Sequence, residues 1–231
     1  MMRDQPETAL LENPVWSSLN GAHASLARIH GDARSYDPLV SVFAGMPNGP
    51  TAGAWADLAA LLGPDGGGVI VGTRVDVPDT WTALRVIQGI QFVESGVDDA
   101  WADDIEALGE ADAAEMLALA ERTRPGPFLL GTVRLGGYVG IRDDGRLVAM
   151  AGRRMNPEGW IEVSAVCTDE AYRGLGMGAR LVRAVVSGIH REGQRAFLHV
   201  EKGNNGAIGL YRKLGFEPSR DMTFVFARPG A

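Results

Sequence analysis

The order of segments after residue 102 predicts a mixed α/β fold, a sheet flanked by helices in the sequence β-α-β-β-β-α-β-α-β, preceded by a smaller α/β region. Three observations carry this reading. Apolar residues alternate with period two in "GYVGIRDDGRLVAMAGRRM" and "WIEVSAVC", and they recur at helical spacing in "GARLVRAVVSGIHREG". The two patterns meet across a bend that holds three glycines, Gly174, Gly176 and Gly178.

In the first half, "WADLAALLG" sets Trp55, Leu58, Ala59 and Leu62 on one helical face, with Gly63-Pro64 as its stop. "GVIVGT" and "LRVIQGIQFV" read as strands, and "MPNGPTAG" and "GPDGGG" as loops. Further on, a helix is expected from about Glu110 to Arg122, with Met116, Leu117 and Ala120 inward and Pro125 beyond its end. Asp143-Asp144-Gly145 joins two alternating runs into a hairpin, because Asp-Gly tolerates the positive φ such turns need. The strand "WIEVSAVC" follows, and then a helix whose buried stripe is Leu181, Val182, Val185 and Ile189. "RAFLHV" is a strand, "NNGAIGLYRKLG" a short helix capped by Asn204 or Asn205 and closed by Gly215, and "DMTFVFA" a last strand.

Composition narrows the function. The 231 residues are 45% apolar and 22% charged, a globular balance that needs no stapling, and the lone Cys167 cannot form an intramolecular disulfide. No apolar run approaches the ~20 residues of a membrane span, and "MMRDQPETALLENP" lacks the hydrophobic stretch of a signal peptide, so a soluble cytoplasmic protein is expected. A net charge of −7 opposes nucleic-acid binding, while Arg153, Arg154, Arg173, Arg180 and Arg183 form a local basic cluster suited to a small anion. His23, His30, His190 and His199 lack metal-ligand spacing, and no metal is expected.

The glycine bend sits where a strand ends and a helix begins, so unpaired backbone N–H groups and the positive end of a helix dipole converge on one point. That is an anion site, open to a diphosphate wherever side chains are absent. It could equally be a turn built for tight strand-to-helix packing. A P-loop is excluded because Ala179-Arg180 stand where Lys-Ser/Thr would follow the glycines. "GLGMGA" satisfies a dinucleotide pattern, with Glu201 as its ribose acid. The intervening "TDEAYR" and the single helix that follows count against that reading.

"VCTDEAYRGLGMGARLV" resembles the R/Q-x-x-G-x-G/A motif of the GNAT family of acyl-CoA-dependent N-acyltransferases, through Arg173, Gly176 and Gly178. "VEKGNNGAIGLYRKLGF" is similar to a second family signature through Val200, Asn204, Ala207, Leu210, Tyr211, Gly215 and Phe216. The resemblance runs from about residue 100 to 228. It implies a mostly antiparallel sheet and a GNAT domain over 99–231. Residues 1–98 then form either a degenerate half of the same kind or an unrelated extension.

What the resemblance implies chemically is specific. Acetyl-CoA is the acyl donor, held by backbone groups of Val166, Cys167 and Thr168, by the loop Arg173, Gly174, Leu175, Gly176, Met177, Gly178 and Ala179, and by Asn204, Ala207 and Tyr211. An amine attacks the thioester directly, and a backbone N–H near Val166 receives the oxyanion. Tyr211 is the expected acid for the leaving thiolate, or else a packing residue of an apolar helix face. Glu162, a carboxylate inside an apolar strand, is the expected base, or else the partner of Arg153 or Arg154. Cys167 lacks a neighbouring histidine and is not expected to act covalently. The acceptor is a small-molecule or peptide amine, no membrane or nucleic-acid partner is expected, and pairing as a homodimer stays open. The rival reading is a CoA-ester sensor without turnover.

Overall fold

The computed structural model describes residues 5–98 and 100–230. Its first part holds α1 (Pro14–Leu19), β1 (Ala27–His30), β2 (Ala33–Tyr36), β3 (Phe43–Gly45), α2 (Ala52–Leu62), β4 (Gly68–Gly72) and the long β5 (Trp81–Glu94). Then come β6 (Glu106–Leu108), α3 (Ala113–Thr123), β7 (Tyr138–Asp143), β8 (Arg146–Arg153) and β9 (Trp160–Thr168). The chain ends with α4 (Met177–Arg191), β10 (Arg195–Glu201), α5 (Asn205–Lys213) and β11 (Phe216–Pro229). The order read from the sequence after residue 102 is the order observed. Among the described residues no helix is long and apolar enough to cross a membrane.

Local signals set the element ends. The Thr51 hydroxyl accepts from the Ala54 N–H at the start of α2, and Gly63 leaves the helix at φ 81°. Asn204, rather than Asn205, caps α5, its Oδ1 accepting from the Ala207 N–H at 3.0 Å. Asp144 and Gly145 take φ of 47° and 77°, the left-handed pair that a two-residue hairpin loop requires.

The strands form one sheet in the order β1-β2-β3-β4-β11-β5-β10-β9-β8-β7-β6, mixed and mostly antiparallel. Its parallel neighbours are β3 with β4 and β9 with β10. The placement of β5 is the feature that local patterns could not supply. It lies between β10 and β11, pairing His199 with Gln91 on one side and Phe224 with Ile87 on the other. Residues before 98 and after 99 therefore share one sheet.

They share a core as well. Leu11, Val15, Leu19, Tyr36 and Phe43 from the first part pack with Met155, Trp160, Phe197 and Met222 from the second. The opposite face of the sheet is covered by α4 through Leu181, Val182, Val185 and Ile189, the stripe its spacing predicts, together with Phe92, Leu198, Tyr211 and Phe216.

Candidate active site

The site begins where two parallel strands part. β10 pairs with β9 only over Trp160–Glu162, so from Val163 to Thr168 the β10-facing edge of β9 has no strand beside it among the described residues. The other edge keeps β8, with Cys167 opposite Met150 and Thr168 opposite Ala149. Between those pairs and Gly152–Ser164 the register slips, and Ala165 takes φ 53°. This bulge bends β9 away from β10 and releases backbone groups at Ala165 and Val166 from the β8 ladder. A left-handed alanine costs roughly 1 kcal/mol or more, and such strain collects at functional positions.

The gap is a cleft of about 1130 Å³. One limb is β9 from Val163 to Thr168, the other is the far part of β5 and β11 with Arg85, Ile87 and Phe226. His199, Val200, Asn204, Ala207 and Tyr211 form its root, and the Pro125–Phe128 turn after α3 its rim.

The glycine loop lies at the β9 limb. Gly176 caps α4 at φ 77° and Gly174 sits at φ 81°, so both are glycine because side chains resist that backbone, and a Cβ at either would meet open space. Gly178 differs. Its backbone is ordinary, and a Cβ there would lie 3.8 Å from Val166 and 4.0 Å from Thr168, inside the approach to α4. Leu175 and Arg173 are exposed, Met177 and Ala179 half-buried, and the Arg173 guanidinium donates to the Thr168 carbonyl at 3.4 Å. Two left-handed glycines, the start of α4 and the Arg173 guanidinium thus lie together at the end of β9.

Tyr211 is buried on α5, its ring edge-on to Phe216 at 6.0 Å, and it lines the cleft. Burial pushes its phenol up to about 12. The phenol therefore stays protonated at neutral pH, as an acid must.

Glu162 is placed differently from a base. The carboxylate is fully buried; Arg154 donates to it twice, from Nε at 2.8 Å and Nη2 at 2.5 Å, and His199 Nδ1 donates at 2.7 Å. Burial alone would raise its pKa, but Arg154 and then His199 overcome that and hold it down at about 2. Both oxygens are occupied and neither faces the cleft, so the salt bridge to Arg154 is the arrangement found. Arg153 instead pairs with Glu192 at 2.6 Å. Arg154 and His199 do line the cleft. The alternation of the strand could not reveal this, because His199 is 37 positions away on another strand.

Cys167 is buried and its thiol is pushed up to about 11 by burial, the opposite of an activated nucleophile. Among the described residues no group of three or more His, Cys, Asp or Glu could hold a metal ion.

The chain is similar to known proteins over part or all of its length. The family model described as FR47-like protein matches residues 138–225. N-alpha-acetyltransferase RimI of Mycobacterium tuberculosis is 39% identical over 83 residues, 35% of this chain and 51% of that protein. The L-methionine sulfoximine/L-methionine sulfone acetyltransferase of Pseudomonas aeruginosa is 33% identical over 106 residues, 45% of this chain and 59% of that protein. The chain thus spans little more than half the length of these curated relatives. Likeness over the full length comes from a crystal structure of a GNAT-family protein from Novosphingobium aromaticivorans DSM 12444. It is 40% identical, has a TM-score of 0.89, and the match covers 99% of this chain and 100% of that one.

Proposed function

The chain belongs to the GNAT family of N-acetyltransferases, and on that premise we propose that it transfers an acetyl group from acetyl-CoA to a primary amine by direct attack. The observation that carries this is the parting of β9 and β10 beside a glycine-lined helix start, one continuous cleft with a bulged strand on one limb. The residues present fit the donor: the amides from Arg173 to Ala179 are unobstructed by side chains at Gly174, Gly176 and Gly178, and Asn204 and Ala207 stand at the root. Bound there, acetyl-CoA supplies an activated thioester carbonyl.

The residues of this chain then divide the work. The free edge of Val166, Cys167 and Thr168 aligns the donor by backbone hydrogen bonds. The amides released by the bulge at Ala165 and Val166 receive the developing oxyanion. Tyr211 gives its proton to the leaving thiolate. Glu162 acts through its partners, fixing Arg154 and His199 at the root, while the acceptor loses its proton to water in the open cleft. The acceptor is a small-molecule or peptide amine. Thiol release from acetyl-CoA across a panel of amines, with calorimetric titration of CoA, tests the reading: release that depends on an amine is expected, and CoA binding without release by any amine overturns it.

A further inference from the structure

The limb of the cleft opposite the glycine loop has its own chemistry. β5 runs past the end of β10, whose last paired residue, Glu201, sits opposite Gly89. Beyond that point β5 keeps β11 on one side and, among the described residues, has no strand on the other. The registers put Arg85 beside Phe226 and Phe226 beside Val69, three residues in one row on one face of the sheet. Ile87, two positions along β5, shares that face. All four line the cleft.

The charges in this part of the cleft are arranged by position. Arg85 is exposed and its guanidinium makes no ion pair or hydrogen bond with another described residue. Glu201, at the end of β10 nearer the reacting limb, is likewise exposed with a free carboxylate among the described residues. Among the described residues an unpaired cation and an unpaired anion thus stand on either side of Ile87, and Phe226 and Val69 continue the row beyond Arg85. The two charges are four positions apart along the β5 register, a backbone span of roughly 14 Å. Arg154 cannot substitute for Arg85, because Glu162 already holds two of its donors. A guanidinium with all its donors free is matched by a planar carboxylate, bound through two parallel hydrogen bonds.

We propose that the acceptor is a zwitterion, an amine that also carries a carboxylate, bound with its ammonium towards Glu201 and its carboxylate on Arg85 across Ile87. The inference rests on the acetyl-transfer reading for the role of the ligand but not for its binding. The test uses calorimetry on the CoA-saturated protein with L-leucine and L-leucyl-glycine, each against its C-terminal amide. For at least one pair the acid binds about tenfold tighter or more than the amide. In Arg85→Gln, an exposed substitution that leaves the melting temperature unchanged, that ratio falls to about one, whereas Glu201→Gln weakens acid and amide alike. Equal binding of acid and amide, no binding of either, or a ratio that survives Arg85→Gln overturns the proposal. Preferential binding of the acids without thiol release overturns the acetyl-transfer reading alone.

Discussion

The Glu162 carboxylate and the His199 imidazole meet at 2.7 Å across the parallel strands β9 and β10, at the point where those strands begin to part. His199 donates to the carboxylate through Nδ1, and its Nε2 lies 3.0 Å from the Gln91 amide nitrogen. That same amide donates to the Leu11 carbonyl at 2.8 Å. A chain of polar contacts therefore runs from Arg154 through Glu162, His199 and Gln91 to the first turns of the protein. It ties the N-terminal part to the root of the cleft with directional bonds that an apolar core would not supply.

Removing the centre of that chain should act on stability first. Glu162→Gln leaves the Arg154 guanidinium buried without its counter-charge, a loss on the order of 3 kcal/mol at neutral pH. The folded-state pKa is depressed to about 2, so the contribution is complete above the unfolded carboxyl value. It fades as pH falls through the window between that value and about 2. Melting curves of both proteins should converge across that window, and a variant as stable as wild type at pH 7 would show the ion pair to be inert.

Tyr211→Phe keeps the ring against Phe216 and removes only the hydroxyl. Turnover should fall roughly 10²-fold, with CoA affinity and melting temperature little changed. Because the phenol is raised to about 12, the wild-type kcat should show no descending limb through neutral and mildly alkaline pH. A loss under about tenfold would make Tyr211 a packing residue.

The glycines of the loop can be separated by their backbones. Gly178 has ordinary φ, so Gly178→Val should weaken CoA binding while the melting temperature holds, its side chain occupying the approach beside Val166. Gly176→Val adds strain at φ 77° and should lower both, by roughly 1 kcal/mol or more in stability. Unchanged CoA affinity in Gly178→Val, measured calorimetrically, would take the diphosphate away from this loop.

Cys167→Ala tests direct attack. The buried thiol is raised to about 11 and should carry no acyl group. The variant should turn over at close to the wild-type rate while losing about 1 kcal/mol of packing. An acyl adduct on Cys167, detected by mass spectrometry after mixing with acetyl-CoA, would replace direct attack with a covalent route.

What the sequence determined by itself is local. The hairpin turn at Asp144-Gly145, the stripe of α4, the Asn204 cap and the glycine bend each rest on residues within a few positions of one another, where backbone preference and helical spacing leave a readable pattern. The order of elements after residue 102 followed from those patterns. Only the tertiary structure decided the rest. β5 enters the sheet between β10 and β11, pairing residues more than a hundred positions apart, and no periodicity encodes which strand an edge will accept. That insertion also creates the second limb of the cleft and brings Arg85 and Phe226 into one row. Glu162 shows the limit in one residue. Its sequence context announced a costly buried carboxylate, but whether it met substrate or an ion partner depended on where Arg154 and His199 arrived. In a low-dielectric interior the charges that come to lie within about 3 Å determine what a carboxylate does.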